Sequence, residues 1–474
     1  MKPMAGRPAL IIAEDTTVFL GPVRDDGTID YVAAWNAKFG EGVTPQNNAA
    51  AALFTLMRRP LHSDDYEHRL ALRLGVDPVI ESRSIEPWPN YPEDEQAKRQ
   101  FDEATNGPWR AMDLPLVTDW LDKNNAVLDA VHLAVDRPRF WWPMMNTEGE
   151  RSSMDEVVLP QLGEARFLAR SLRARSFQQL AAGNLDGAIK DLQSIQRLGR
   201  LIGAEPIVIN RLVDVSIQAL AFDVAEALLA WPGLTREHAL AISDSIPEPL
   251  PFDYARGVIM EGSRLVALEH LIDLHAGVHP KWGPTDKALR LAIRSARFDI
   301  NQALRRTTAL YRDIVAIEPT SLVEADRLTE NINQQHGGLA GLYPHTFRQF
   351  GQGRDLSEWA ADQVATWYAA GDANQFRTRL LANGSTARIR LAAALRLYRF
   401  DRGSYPQRLD ALVPDYLAAL PVDEYDGRPL TYKPGENGKT YLLYSVGPNG
   451  KDDGGVDNRS DGDLVIGDPV PARE

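Results

Sequence analysis

The 474-residue chain is long enough for two to four domains, and its 44% apolar and 25% charged residues are ordinary for a globular protein. A net charge of −13, with no long Lys/Arg block, speaks against nucleic acid as a main partner. The absence of cysteine excludes disulfides, thiolate catalysis and Cys-based zinc sites.

Near the N-terminus, the apolar patch Ala9 to Ala13 is shorter than a signal-peptide core and is followed by Glu14 and Asp15. No stretch approaches the roughly 18 apolar residues of a membrane span. ALIIA and TVFLG read as two short strands. With the turn signal Asp26-Gly27, they predict a short N-terminal β-hairpin or arm over residues 1–32.

A helical body is expected over residues 33–372. Thr44-Pro45 reads as a helix start running to about Met57, because Thr supplies a cap oxygen and Pro at the first position loses no needed donor. Ser63 starts a second helix with acids in its first turn and a Gly stop. Helices follow over 93–105 and 115–133, with the Pro/aromatic connector SIEPWPNYP before them. RPRFWWPMM (137–145) reads as a loop wedged between helices, with an exposed aromatic platform as the other reading.

Residues 155–231 show helical spacing throughout. Around AAGNLDGAIKDL the pattern predicts a helical hairpin, with Gly183 in the turn and Ala188 at the crossing, that resembles a single tetratricopeptide-type unit, not a counted repeat array. Trp231-Pro232-Gly233 ends the run. Helices resume over 235–245, 252–276, 284–315 and 319–332. After the Gly-rich break QQHGGLAGLYPH come helices near 355–370 and 373–400.

Catalytic motifs are sparse. His270, His275 and His279 are spaced by five and four, and the first two point about 140° apart on a helix, which does not suit zinc. Asp155, Glu156 and Glu164, or Glu261 with Glu269, are carboxylates that a fold could pair for hydrolysis. The chain lacks a G-x-S-x-G element, a P-loop and a dinucleotide fingerprint.

The stretch Tyr441 to Asp468 is the most distinctive. Six aspartates (452, 453, 457, 461, 463, 468) lie among Gly447, Gly450, Gly454, Gly455 and Gly462, in a stretch that holds two apolar strands. So many carboxylates in one loop repel each other unless a cation lies between them. Read as an EF-hand, the loop puts Arg459 where a ligand belongs, so it is not one. A solvated acidic turn and a calcium loop fit this stretch equally well.

The run from Arg388 to Ile466 resembles the globular domain of the major pseudopilins of type II secretion systems. The signals appear in order. Leu397, Tyr398, Asp401, Gly403, Tyr405 and Pro406 form L-Y-x-x-D-x-G-x-Y-P. Leu409 to Val413, Tyr416-Leu417 and Leu420-Pro421 follow, then Asp423 and Asp426 to Pro429, then Tyr441 to Gly450 and Asp463-Leu464. This resemblance implies an α+β domain over 373–474 and a structural Ca²⁺ held by the Val446 carbonyl, Asn449 and Asp463. Ser460 or Asp461 is a further candidate donor, and which of Asp453, Asp457 and Asp461 points inward stays open. Where the family usually has Asp, this chain has Asn449, and its loop is longer. Arg377, Arg379, Arg388, Arg390 and Arg396 in the preceding helix do not suit the apolar filament helix of a pseudopilin. The overall layout, with DYVAAWNAKFGEGVTPQNNAA, resembles large proteins of planctomycete-type bacteria, a likeness that implies no activity.

The expected protein is therefore mainly α with a small C-terminal α+β module. Its expected role is that of a non-enzymatic scaffold or binding protein with a protein partner or self-association, and with no nucleic acid and no membrane span. Calcium is abundant outside the cytoplasm, which favours the periplasm or cell surface, although the lack of a visible signal peptide leaves the cytoplasm open. The alternatives are a glycan or peptide hydrolase with a carboxylate site near Trp141 and Trp142, and an assembly subunit related to secretion machinery.

Overall fold

The computed structural model describes residues 8–58, 60–78, 84–88, 94–146, 153–278, 287–336, 355–372, 374–435, 438–456, 458 and 462–467. The architecture is mainly helical, with a small three-stranded antiparallel sheet near the C-terminus. Among the described residues no helix is long and apolar enough to cross a membrane.

The N-terminal hairpin is corrected. Residues 8–30 contain a single antiparallel bridge, Val23 to Ile29, around the Asp26-Gly27 turn, in which Gly27 has φ +82. The two strands do not form because threonine hydroxyls turn the chain first. Thr16 Oγ1 donates to the Ile11 carbonyl at 2.5 Å, and Thr17 Oγ1 to the Phe19 carbonyl at 2.8 Å.

The helices open with α1 (Tyr31–Gly40), capped by Asp30, whose Tyr31, Val32 and Trp35 join the second of two cores; the first core begins with α2 (Ala49–Phe54), which starts later than Thr44-Pro45 suggested. Thr44 and Asn47 close a turn on each other, and Asn48 takes over the cap by accepting from the Ala50 N–H at 3.1 Å. Ser63 does cap α3 (Asp64–Leu74), which stops at Gly75 with φ +69. Next come α4 (Glu95–Ala104), α5 (Pro115–Val135), α6 (Gln161–Ala181), α7 (Leu185–Ile202), α8 (Val208–Ala230) and α9 (Arg236–Ser245).

Helices α6 and α7 form the expected hairpin. Gly183 turns the chain at φ +80, and the fully buried Ala188 gives its carbonyl to the Ser176 hydroxyl at 3.1 Å. A larger side chain at 188 would push the two helices apart, so Ala is required by packing, not by propensity.

A second core gathers α10 (Phe252–Gly257), a π turn (Val258–Ser263), α11 (Arg264–Ala276), α12 (Lys287–Ile293), α13 (Ile300–Val315), α14 (Leu322–His336) and α15 (Leu356–Asp372). The π turn admits the Pro206 carbonyl against Gly262, where a Cβ would collide with the oxygen. The expected helix over 284–315 breaks at Ser295 to Asp299. Asp299 caps a new start by accepting from the N–H groups of Asn301 and Gln302.

The 29-residue helix α16 (Asn374–Arg402) joins the two cores. Phe376 and Leu380 pack in the second, and Ile389 to Leu397 in the first. Strands β1 (Thr431–Pro434), β2 (Tyr441–Ser445) and β3 (Leu464–Gly467) lie in the order β1-β2-β3, with Thr431 opposite Tyr444 and Leu443 opposite Ile466. Tyr405 ties the sheet to α16. Its ring meets Tyr441 edge to face at 4.7 Å, its N–H donates to the Gly438 carbonyl at 2.8 Å, and its hydroxyl accepts from Arg396 and Arg399.

Candidate metal-binding loop

The acidic stretch connects β2 to β3, as its apolar flanks suggested. Its entry is fixed by Asp423, itself buried. Asp423 accepts from the Ser445 hydroxyl at 3.0 Å, the Val446 N–H at 2.9 Å and the Tyr425 N–H at 2.9 Å. Beyond this clamp Gly447 turns at φ +62, and a Cβ there would collide with the Gly462 carbonyl oxygen. The two limbs of the loop thus meet where Gly447 packs directly on Gly462, and position 447 has no room for a side chain.

Asp463 follows directly and is fully buried. Its Oδ2 accepts from the Gly455 N–H at 2.7 Å. Its Oδ1 is also buried and has no hydrogen-bond partner among the described residues. A desolvated carboxylate oxygen left unmatched costs several kcal/mol, so it calls for a partner of positive character.

Oxygen donors are near. Asn449 Nδ2 donates to Asp453 Oδ2 at 2.9 Å, and Asn449 Oδ1 accepts from the Lys451 N–H at 2.8 Å. Asp453 Oδ2 lies 3.2 Å from the position a Cβ would take on Gly462, which places that carboxylate against the glycine that precedes Asp463. The Val446 carbonyl accepts no hydrogen bond among the described residues. Asp452 is held outward, accepting from Tyr444 Oη and the Gly454 N–H, both at 2.9 Å, with its carboxyl below the usual range. Asp457, Ser460, Asp461 and Asp468 lie outside the described residues. Among the described residues, no group of three or more His, Asp or Glu is gathered in a metal-holding cluster. The fit to a cation therefore rests on the orphaned Asp463 oxygen, together with amide, carbonyl and carboxylate donors of the hard type that Ca²⁺ takes.

The other candidates are engaged elsewhere. Glu164 receives Arg58 in a two-point ion pair at 2.7 and 3.0 Å. Glu261 pairs with Lys38 at the surface. Asp155 accepts from the Ser153 hydroxyl at 2.5 Å, and that hydroxyl also reaches Glu269 at 3.3 Å. Glu269 is buried against Asp273 and accepts from Arg24 and the Met154 N–H. Burial, then the Asp273 charge, pushes its carboxyl up to about 7. Trp142 is only 1% exposed and offers no platform, while Trp141 lies with its ring against Gly40. His270 is buried beside the Tyr368 hydroxyl and His275 packs on Phe298. His279 lies outside the described residues.

Sequence reasoning missed a buried polar network between α5, α6 and α7. Arg175 grips Asp191 at 2.6 and 3.0 Å and Asp129 at 2.9 Å, and its Nη2 lies 2.9 Å from His132 Nε2. His132 Nδ1 is 2.5 Å from Ser194 Oγ. The Ser-His-Asp composition looks catalytic. His132 Nε2 has the Arg175 guanidinium at 2.9 Å and Asp191 Oδ1 at 3.3 Å as neighbours, so accepting from the first and donating to the second both fit the geometry, and the direction of the Ser194 bond follows the tautomer. Of these five side chains, all but that of Asp129 are sealed from solvent. Helix periodicity gives no sign that these residues, 62 apart in the chain, share one hole.

No protein-family model, curated protein or solved structure matches this chain.

Proposed function

We propose that the protein is a non-enzymatic helical scaffold of the bacterial cell envelope whose pseudopilin-like C-terminal module is closed by one structural calcium ion. The observation that carries this reading is Asp463 Oδ1, buried and unmatched among the described residues where the two limbs of the loop meet. The Val446 carbonyl, Asn449, Asp453 and Asp463 would supply oxygens to the ion, and Asp457 and Asp461 belong to the same loop. The ion supplies positive charge that replaces lost hydration, and it cross-links β2 to β3. Its effect is on stability: a ligand present at a hundredfold its dissociation constant stabilises the folded state by about 2.7 kcal/mol. The scaffold role is supported by carboxylates committed to ion pairs and by a Ser-His pair that is buried away from any substrate. The partner of the helical body is a protein or a second copy of this chain.

Thermal unfolding with calcium and with chelator tests the module. Calcium is expected to raise the midpoint of the wild type and to leave Asp463→Ala unmoved. An unchanged wild-type midpoint would sink the calcium claim. Light scattering separates a monomeric scaffold from an assembly subunit.

A further inference from the structure

The exposed face of α6 carries a pattern that the calcium reading does not use. Gly163, Arg166, Phe167, Arg170 and Arg173 fall at spacings of three, one, three and three residues, which places them on one side of the helix. They wall a hollow of about 600 Å³, closed on the other sides by Arg58, the Pro87-Trp88 segment, Phe101, Asp102 and Thr105 of α4, and Leu220 of α8. That volume suits a small organic molecule.

The floor is aromatic. Trp88, Phe101, Trp120 and Phe167 form one cluster, with Trp88 to Phe167 at 6.1 Å and Trp120 to Phe167 at 6.1 Å, both edge to face. The Arg58 guanidinium lies 3.9 Å over the Phe167 ring, flattened there by its two-point pair with Glu164. A planar group entering the hollow would meet ring edges and a flat guanidinium.

The rim is cationic on a chain whose net charge is −13. Two of the four arginines are matched, Arg58 by Glu164 and Arg173 by Asp223 at 2.9 Å. Arg173 still carries a buried Nε with no partner among the described residues. Arg166 and Arg170 stand one turn apart on the helix, where like charges repel, and neither is paired with a carboxylate among the described residues. A planar fork of donors beside apolar rings is the usual arrangement for an oxygen anion attached to a ring.

We propose that this hollow binds an aromatic anion, its phosphate or carboxylate held by Arg166, Arg170 and Arg173 and its ring lying on Trp88 and Arg58. This site belongs to the helical body and is independent of the C-terminal loop. A nucleotide and a simple aryl phosphate share this chemistry.

The test is calorimetric titration of the full chain with AMP, phenyl phosphate, adenosine and inorganic phosphate. AMP, phenyl phosphate or both are expected to bind with dissociation constants below about 1 mM, at least tenfold tighter than adenosine or inorganic phosphate. Preference for AMP assigns a nucleotide and preference for phenyl phosphate a smaller aryl acid; either result supports the site. Arg166→Ala/Arg170→Ala changes exposed residues, so its melting point should hold while binding falls at least tenfold, and Arg170→Glu should fall further. Failure of both aromatic anions to bind overturns the proposal, as does equal binding of inorganic phosphate or binding that survives the double variant.

Discussion

Glu205→Gln should change how stability depends on pH. Glu205 is buried between the Trp142 N–H, which donates to Oε1 at 3.2 Å, and Asn210 Nδ2, which donates to Oε2 at 3.4 Å. Burial outweighs these two donors and pushes the carboxyl from its ordinary 4.5 up to about 8. The native state then holds a proton that the unfolded chain releases above 4.5. Stability falls as pH rises from about 4.5 through about 8, and is level beyond. At about 1.4 kcal/mol per unit, the whole span is worth up to roughly 5 kcal/mol. Glu269 moves in the same direction, but its window closes near 7. Burial raises Asp214 and Glu424 as well, so the difference between the wild type and the Glu205 variant, not the wild-type slope alone, isolates the share of Glu205. Glutamine keeps an acceptor for Trp142, and its amide can donate to Asn210 Oδ1, which is buried and unpartnered among the described residues. Urea unfolding of the two proteins at half-unit steps from pH 5 to 9 is the assay. The wild type should lose about 1 kcal/mol between pH 7 and 8 while the variant loses less, so that the variant is the more stable protein at pH 8.5. Parallel profiles, or a variant that is less stable at pH 8.5, would refute the reasoning.

Three further substitutions probe other contacts. Asp191→Ala leaves Arg175 buried without its two-point partner and should cost about 3–5 kcal/mol by urea unfolding. Gly384→Ala places a methyl where the Glu424 carboxyl sits against Arg388, so it should lower the thermal midpoint by the equivalent of about 1–3 kcal/mol. Asp423→Ala removes the acceptor for Ser445, Val446 and Tyr425 and should loosen the loop entry, weakening calcium binding at least tenfold by titration.

Local signals were legible where the backbone alone decides. Ser63, Gly75 and Gly183 act as the stop and start signs that the sequence suggests, and the strands on either side of the acidic loop stand where the short apolar runs put them. The reading failed where side chains compete for the backbone. Thr16 and Thr17 undo the N-terminal strands, and Asn47 with Asn48 delays α2. Long-range meetings left no trace. Arg175 with Asp191 and His132, Arg58 with Glu164, and the two-core span of α16 depend on which helix faces come together, and periodicity does not say that. In the loop, the sequence told which atoms to watch but not that Asp463 would be wholly buried with one oxygen unmatched among the described residues.

Equilibrium dialysis of the full chain against calcium, wild type beside Asp463→Ala, tests the central claim most directly. The account predicts one ion per wild-type chain, released by chelator, and none held by the variant. A wild type that retains no calcium at millimolar free ion, or a variant that binds as tightly, would contradict it.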